Sequence, residues 1–278
     1  MSEIHLPAFK LLNKRRPLVI AHRGYSQLAP ENTTGAFDLA FQAGADLVEL
    51  DCRQTRDDQV IVIHDSTLDR TTDARQRWRR KRIQVRSRTA AEIQSLDAGQ
   101  WFGPKHAGAR VPFLGKALEL INARTGCALI ESKAGPAAAC LEILRKLSLI
   151  NSVIVQSFDW QYLAQFHQLE PRQLLAALGP PHRLSTGRKP RQIFRRLNAG
   201  WLNEIQRTGA SVVVWNARIS KRSVRLAHQR GFKVWVYTIN NLRLARRLLG
   251  AGVDGLITNN PALIWKAIAL QGSVKGET

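Results

Sequence analysis

The feature of the sequence that most constrains the fold is a series of eight short apolar runs, separated by longer segments with helical periodicity. The segment after the first run opens on Thr and closes at Gly44, and the segment after the third run has Pro136 at its first helical position. Strands that alternate with helices form βαβ units, which predicts a parallel sheet. The predicted strands are residues 17–22, 45–51, 127–133, 152–158, 173–179, 211–216, 233–240 and 254–259.

Eight such units in 278 residues predict an α/β protein with a (β/α)8 TIM barrel, a fold that routinely takes about 250 residues. A doubly wound open sheet is the alternative, but no G-x-G-x-x-G follows the first strand. One segment breaks the alternation, because it contains "RQRWRRKRIQVRSR" (75–88), with eight basic residues in fourteen. We therefore predict a single barrel domain over residues 1–278, with a small insertion after strand 2. This insertion, residues 66–111, is called the cap; it could be a solvated, partly mobile loop or a binding surface.

Signals for a membrane span or export are missing from the sequence. No apolar run reaches the roughly 18 residues that a membrane span needs. The N-terminal segment lacks an apolar stretch followed by a small-residue cleavage site, so no signal peptide is predicted. Cys52, Cys127 and Cys140 lie in apolar contexts without metal-ligand spacing, which indicates reduced core thiols. We expect a cytoplasmic protein, which could also lie peripherally at the inner membrane face.

Charge narrows the class of partner. The formal net charge is +21, yet ten of the 21 acidic residues fall between Glu31 and Asp73. From Trp160 onward there are 19 Lys and Arg against four acids. Such a balance favours an acidic partner, whether nucleic acid, an anionic lipid surface or a phosphorylated substrate, and does not choose among them. The oligomeric state is left open by the sequence.

Polar side chains recur at the C-terminal ends of the predicted strands. Parallel barrels build their active sites at this end. The pattern therefore predicts one site at the C-terminal mouth of the barrel. The residues concerned are His22, Arg23, Glu49, Asp51, Glu131, Lys133, Gln156, Ser157, Asn216, Tyr237, Thr238 and Asn259.

Three carboxylates are expected to converge there. Residues two apart on a strand share a face, so Glu49 and Asp51 point the same way, and Glu131 joins them if the second and third predicted strands are neighbours. Like charges brought this close raise one pKa strongly or require a cation. Oxygen ligands suit one hard divalent cation, Mg2+ or Ca2+, better than zinc. The alternative is that these acids pair with some of the abundant arginines.

Two histidines lie close to the carboxylates in this layout. His22 ends the first strand, and "QVIVIHD" (59–65) is predicted to form a short antiparallel return that brings His64 to the rim. Two histidines beside a bound cation indicate an acid and a base, each worth about 10²–10⁴ in rate. Arg23 and Lys133 add the fixed positive charge that a phosphate anion needs. These residue types together describe phosphodiester cleavage.

At these residues the chain closely resembles the glycerophosphodiester phosphodiesterase family. The most specific block is "AHRGYSQLAPENTTGAFDLAFQAGADLVELDCRQTRDDQVIVIHDSTLDRTTD" (21–73), which combines H-R-G, P-E-N-T, E-x-D, H-D and R-T-T. Later blocks are similar too, namely "SLDAGQWF", "LIESK", "VIVQSF" and "GVDGLITNNP". The resemblance covers most of the chain, from about residue 17 to residue 265.

The resemblance implies a TIM barrel with a small insertion after the second strand. It also implies metal-dependent hydrolysis of glycerophosphodiesters to sn-glycerol 3-phosphate and an alcohol. The roles that it implies by position are an acid/base pair, His22 and His64; metal ligands, Glu49, Asp51 and Glu131; and phosphate contacts, Arg23 and Lys133. It leaves open which histidine is the acid, and whether water or the 2-hydroxyl of the substrate attacks first.

Further residues around the mouth also follow from the resemblance. Glu31 and Asn32 would line or support it, with Glu31 as a substrate contact, while Pro30 and Thr33 shape a turn and cap a helix. Tyr237 is a second predicted substrate contact, and it stands where the family usually has Trp.

Two other stretches depart from the family pattern. "VPFLGKALEL" has Phe113, Leu114 and Gly115 where Thr-Leu-Glu is usual, and Asn259 stands where Asp is usual. None is a predicted ligand or catalytic histidine, so the predicted chemistry is kept. Together with Tyr237 and the cap, the departures leave the preferred alcohol open. The cap is where the family places its substrate-facing segment, and Arg79–Arg82 around Trp78 could meet an anionic headgroup or a bilayer.

Three functions follow from these observations. The first is hydrolysis of small glycerophosphodiesters. The second is a lysophospholipase D-like activity on membrane lysophospholipids, with the basic cap meeting an anionic membrane surface. The third belongs to another class, a non-catalytic basic barrel that binds acidic lipid or nucleic acid. A pure binder has no need for two histidines and three carboxylates at strand ends, so nucleic acid is not the expected partner.

Overall fold

The computed structural model describes residues 7–193 and 195–275. The other positions of the predicted 1–278 domain lie outside this part of the chain. Residues 1–6 of the N-terminal segment, for which no signal peptide is predicted, also lie outside it.

Nine strands occur in the described residues, and eight of them form a closed parallel barrel. The barrel order is β1-β2-β4-β5-β6-β7-β8-β9, and β9 pairs with β1 to complete it. β3 lies outside this ring and runs antiparallel to β2, with Val62 opposite Cys52. The predicted TIM barrel and the predicted antiparallel return are both confirmed. The strands β1 to β9 are Leu18–Ala21, Leu47–Gln54, Val60–Val62, Cys127–Ser132, Ile154–Ser157, Leu174–Gly179, Val212–Asn216, Lys233–Tyr237 and Gly255–Thr258.

Helices follow the strands and surround the barrel. Polar side chains begin several of them: Thr33 accepts from Ala36 N at the start of α2, and Asn198, Ser220 and Asn241 cap later helices in the same way. Pro136 is the N-cap of α6 rather than its first helical residue, so the predicted helix start was one residue early. The helices α1 to α11 are Pro7–Leu12, Thr34–Gln42, Ala74–Trp78, Ala90–Gln94, Leu114–Ala123, Ala137–Lys146, Trp160–Leu169, Ala199–Gln206, Lys221–Gln229, Leu242–Gly250 and Pro261–Lys275.

Alternation along the strands separates two apolar layers. Ile20 and Leu47 belong to the cluster that fills the barrel, whereas Val48 and Leu50 pack outward against the helices. Leu50 is fully buried, which stabilises the fold by about 1.5–3 kcal/mol relative to an exposed side chain. Ala8 of α1 joins the inner cluster.

The cap has its own buried side chains. Leu68, Ile83, Ile93 and Leu96 form a third apolar cluster, which Ile61 of β3 completes from the barrel side. α3, α4 and the short 3₁₀ helices Val85–Ser87 and Pro104–His106 build this segment. Most of its basic side chains are exposed, while most of its apolar side chains are buried in this cluster. The segment is therefore folded around a small core and is more than a solvated loop.

The three cysteines agree with the expectation of reduced core thiols. Cys52, Cys127 and Cys140 are buried and unpaired. Burial raises the pKa of the Cys140 thiol to about 12, so it stays protonated. Among the helices of residues 7–193 and 195–275, none is long and apolar enough to cross a membrane.

Candidate active site

Strand β2 carries the two acids of the E-x-D motif into the barrel mouth. The strand does not end at Asp51, as the sequence suggested, but continues to Gln54. It continues because β3 pairs with Cys52–Gln54 and β4 pairs with it as far as Cys52, whereas β1 pairs only with Leu47 and Val48. The two acids therefore lie beyond the last residue of β2 that pairs with β1, on a stretch that β3 and β4 hold in place.

Three carboxylates meet at this point. Asp51 lies opposite Glu131 across the β2–β4 pair, and ligand oxygens of Glu49, Asp51 and Glu131 lie within 4.8 Å of one another. All three side chains are buried. The prediction that the second and third predicted strands are neighbours is confirmed, because β2 pairs with β4.

Crowding shifts the pKa values of these acids apart. Burial and the neighbouring Asp51 and Glu131 raise the pKa of Glu49 well above its usual range. Burial and Asp51 likewise raise the pKa of Glu131 to about 7. Burial also opposes ionisation of Asp51, but Lys133 and Arg23 outweigh it and hold the pKa of Asp51 below its ordinary value.

Two cations touch the cluster. Lys133 Nζ pairs with Glu131 and lies 3.3 Å from Asp51 Oδ1, and Arg23 Nε lies 3.1 Å from Asp51 Oδ2. The alternative in which the acids pair with arginines is therefore realised in part, by Arg23. Three carboxylates face two cations, so the cluster would carry one uncompensated negative charge if all three were ionised, which agrees with the raised pKa of Glu49.

A bound cation would compensate the charge of the third carboxylate, Glu49. Glu49 Oε2 accepts from the Arg23 backbone N–H at 2.9 Å, whereas Glu49 Oε1 is buried without a hydrogen-bond partner among the described residues. A buried carboxylate oxygen without a partner is costly. With oxygen donors only, the cluster Glu49, Asp51 and Glu131 could hold a hard divalent ion.

The loop after β1 is shaped by unusual backbone conformations. Arg23 and Asn32 adopt left-handed φ angles of 58° and 59°, and Gly24 has φ of 82°. A Cβ on Gly24 would lie 2.6 Å from the carbonyl carbon of Ala36, so only glycine fits. Asn32 Nδ2 donates to Asp51 Oδ2 at 2.9 Å, which ties this loop to the acids.

Each histidine is oriented by a partner on its Nδ1 atom. His22 Nδ1 lies 2.7 Å from Asn259 Oδ1, and His64 Nδ1 lies 2.7 Å from Asp65 Oδ1. An amide or carboxylate oxygen can only accept, so each Nδ1 carries a proton, and Nε2 is left as the nitrogen that can exchange a proton with substrate. Burial and Arg23 lower the pKa of His22 to about 4. Burial also lowers the pKa of His64, although Asp51 and Asp65 oppose this.

An arginine of the cap locks this arrangement. Arg70 donates to both oxygens of Glu31 at 2.7 and 2.8 Å, and to Asp65 Oδ2 at 2.8 Å. Arg23 Nη1 also donates to Glu31 Oε1 at 2.8 Å. Arg70 thus joins the loop after β1 to the segment that carries His64.

The two residues predicted to contact substrate occupy different surroundings. The carboxylate of Glu31 accepts hydrogen bonds from Arg70 and Arg23, so it helps to hold these two side chains in place. Tyr237 donates its O–H to Gly179 O at 2.9 Å and meets the edge of Phe158. Substrate contact by either residue stays a prediction.

Sequence reasoning missed several partners in this network. The sequence pattern assigns no role to Asp65, Arg70 or Arg53, the last of which donates to His64 O at 2.7 Å. It places Asn259 at the mouth but does not predict its contact with His22. The H-D doublet was the available signal for Asp65. No local pattern shows that Arg70 folds back onto Glu31, because that contact depends on the path of the cap.

Similarity to known proteins agrees with this geometry. Residues 22–263 match the model of the "Glycerophosphoryl diester phosphodiesterase family". The chain belongs to this family. It is therefore an enzyme, a phosphoric diester hydrolase.

The similarity extends over nearly whole chains. The protein is 34% identical over 253 residues to YhdW of Bacillus subtilis, covering 89% of this chain and 96% of the relative. It is 32% identical over 279 residues to a glycerophosphodiester phosphodiesterase of the same organism, covering 92% and 88%. A phosphodiesterase from Oleispira antarctica, solved in complex with the product sn-glycerol-3-phosphate, superposes with a TM-score of 0.79 at 26% identity, covering 94% and 99%.

Proposed function

We propose that the protein hydrolyses glycerophosphodiesters to sn-glycerol 3-phosphate and an alcohol, with one divalent cation, Mg2+ or Ca2+, held by Glu49, Asp51 and Glu131. The observation that carries this proposal is the meeting of three buried carboxylates within 4.8 Å at the barrel mouth. The product found in the Oleispira antarctica relative supports the same substrate class.

The charges around the cluster match a phosphodiester anion. When bound, the cation would neutralise charge on the non-bridging phosphate oxygens. Arg23 and Lys133 flank the carboxylates and place their own positive charge toward the same mouth. Both would hold the phosphate while the diester is cleaved.

The histidine partners suggest a division of labour. His22 has a neutral amide partner and a pKa lowered to about 4, so its Nε2 is free to accept a proton from the attacking hydroxyl. His64 has a carboxylate partner, Asp65, which stabilises an imidazolium. His64 would give its Nε2 proton to the oxygen of the departing alcohol as the P–O bond to that oxygen breaks.

A cavity beside His64 supports this assignment. It has a volume of about 600 Å³ and is lined by His64, Glu131 and Lys133, but not by His22. An alcohol leaving into this cavity would depart next to the histidine that we assign as the acid.

A substrate panel tests the proposed function. Glycerophosphocholine, glycerophosphoethanolamine and glycerophosphoglycerol are incubated with Mg2+, Ca2+ or EDTA, and the release of sn-glycerol 3-phosphate is measured. We expect turnover with a metal and none with EDTA. Full turnover in EDTA, or none with any metal, would contradict the proposal.

The cap provides a second candidate role at a membrane. It carries an open cavity of about 770 Å³ lined by Arg75, Arg79, Arg80 and Lys81, with Trp101 at its edge and 40% exposed. Trp78 is covered instead, because the guanidinium of Arg88 lies 4.2 Å from its ring centroid. We propose that the segment 66–111 acts as a unit that brings this cytoplasmic enzyme to anionic membrane surfaces, where lysophospholipids would be substrates.

Vesicle sedimentation tests the membrane role. We expect binding to phosphatidylglycerol vesicles, little binding to phosphatidylcholine vesicles, and weaker binding as salt rises. Alanine at Arg79, Arg80 and Lys81 should abolish binding. Alanine at Lys221, Arg222 and Arg225, three exposed bases of α9, is the matched control. An equal loss in both triple variants would show that net charge, and not the cap, is responsible.

A further inference from the structure

The cavity beside His64 has one wall that belongs to neither the metal cluster nor the histidines. This wall comes from the segment between β6 and α8, residues 180–198, called the β6–α8 loop. It contributes His182, Arg183 and Lys189. The loop holds six basic residues and no acid in its sequence. The loop thus adds positive charge to a mouth that already contains Arg23 and Lys133.

Hydrogen bonds fix the cavity side of this loop in place. His182 N donates to Phe158 O at 2.8 Å, and Trp160 N donates to Arg183 O at 3.0 Å. Leu184 N donates to Arg188 O at 2.8 Å, which closes the turn before Lys189. The positive charges are therefore held against the cavity by backbone contacts.

The acids of the cavity wall are already engaged. Glu131 belongs to the metal cluster and pairs with Lys133. Asp159 accepts from two backbone N–H groups at the start of α7, and Arg183 Nε lies 3.7 Å from its Oδ2. The ammonium group of Lys189 has no ion pair or hydrogen bond with any other residue that the structure describes. The far wall therefore offers an uncompensated positive charge.

The aromatic wall does not provide a site for a cationic alcohol. His182 stacks on Phe158 with ring centroids 5.0 Å apart, and Lys133 Nζ lies 6.0 Å from the centroid of the same ring. A quaternary ammonium group would meet Lys133 and Lys189 rather than open aromatic faces. Repulsion between these like charges would disfavour binding of a cationic alcohol.

We infer that this cavity receives the alcohol half of the diester and selects alcohols that carry a second phosphate, with Lys189 as the specificity-determining contact. The inference rests on the proposed function. It orders the substrates by the charge of their alcohol: anionic before neutral, and neutral before cationic. The hydrolysis itself is unchanged, since only the group held by the far wall differs.

A matched pair of substrates tests the inference. Glycerophosphoglycerol and the same compound phosphorylated on its terminal hydroxyl differ only by the second phosphate, and glycerophosphocholine supplies the cationic case. At low salt we expect kcat/KM of the native enzyme to be about tenfold higher for the phosphorylated compound, and the ratio to fall as salt rises.

Variants of the loop locate the effect. Lys189→Ala should lower the ratio of the two kcat/KM values about three- to tenfold, and Lys189→Glu should reverse it. Arg188→Ala is the control, because Arg188 is an exposed base on the same turn that does not line the cavity; its ratio should equal that of the native enzyme.

The outcomes separate the two proposals. Equal kcat/KM values for the pair in the native enzyme, or equal loss of the ratio in the Arg188 and Lys189 variants, would overturn the selection by Lys189. Hydrolysis of none of the three compounds would instead refute the proposed function.

Discussion

The two sides of the barrel mouth are built in opposite ways. On one side, the acidic side, Glu49, Asp51 and Glu131 are buried on strands β2 and β4. On the other, the β6–α8 loop presents exposed Arg and Lys and carries no acid. The acidic side takes its geometry from strand register, and the cavity side of the loop is held by a few backbone contacts with the β5–α7 connection.

Because of this difference, the barrel mouth can keep its catalytic residues fixed while its substrate preference varies with the loop. Buried charges need partners at short distances, so each acid of the cluster contacts Arg23 or Lys133, and a change there disturbs several residues. Exposed charges are screened by water and interact weakly, so a change in the loop alters which substrate is preferred by a modest factor.

The largest effect is expected for Glu49→Gln. The loss of one carboxylate of the cluster should weaken metal binding and lower kcat/KM about 10³-fold or more, because several kcal/mol of charge stabilisation disappear. Calorimetric titration with Mg2+ and Ca2+ measures the metal affinity alongside the assay. Glu142→Gln, an exposed site on α6, is the control. Native metal affinity in the Glu49 variant would show that the cluster does not bind the cation.

Removal of either histidine should cost about 10²–10⁴ in kcat. A substrate with a p-nitrophenol leaving group needs no protonation of that group, so it separates the two roles. With it, the loss for His64→Ala should shrink while the loss for His22→Ala persists. The reverse pattern would exchange the acid and base assignments.

Replacing glycine by alanine should likewise cost more stability beside the acidic side than in the β6–α8 loop. Gly24→Ala places a Cβ 2.6 Å from the carbonyl carbon of Ala36 at φ of 82°, and should lower the free energy of unfolding by about 2–4 kcal/mol. Gly187→Ala in the β6–α8 loop has nearly the same φ, but its Cβ meets the end of the Gln161 side chain, which can move. We expect about 1 kcal/mol there. Denaturant unfolding compares the two, and equal losses would contradict the proposed rigidity of the acidic side.

The smallest effect is expected for Asp65→Asn, which keeps the shape of the side chain and removes its charge. Asp65 raises the pKa of His64, so the variant should lower that pKa. If His64 is the acid, its protonated form is then lost at lower pH, and the alkaline limb of the kcat profile moves to lower pH. We expect about a tenfold loss of kcat at neutral pH. An unshifted alkaline limb would remove Asp65 from this role.

Much of the barrel and the core of the candidate site could be predicted from the sequence. The eight strands follow from short apolar runs, and the shared face of Glu49 and Asp51 follows from the two-residue repeat of a strand. The extension of β2 beyond Asp51 could not be predicted, because it depends on pairing with β3 and β4. The partner of Glu31 could not be predicted either, since Arg70 lies 39 residues further along the chain and reaches it only through the folded cap.

The order of strands and helices, the chemical types gathered at the strand ends, and the excess of positive charge can all be read from the sequence. These are local properties, set by periodicity and by which residues can be buried. Only the tertiary structure decided which charges are compensated. Arg23 and Lys133 lie against the acids, whereas Lys189 is held on the far wall of the cavity without a partner among the described residues. The physical reason is that a charge pair depends on a separation of a few ångströms between atoms that are far apart in the chain.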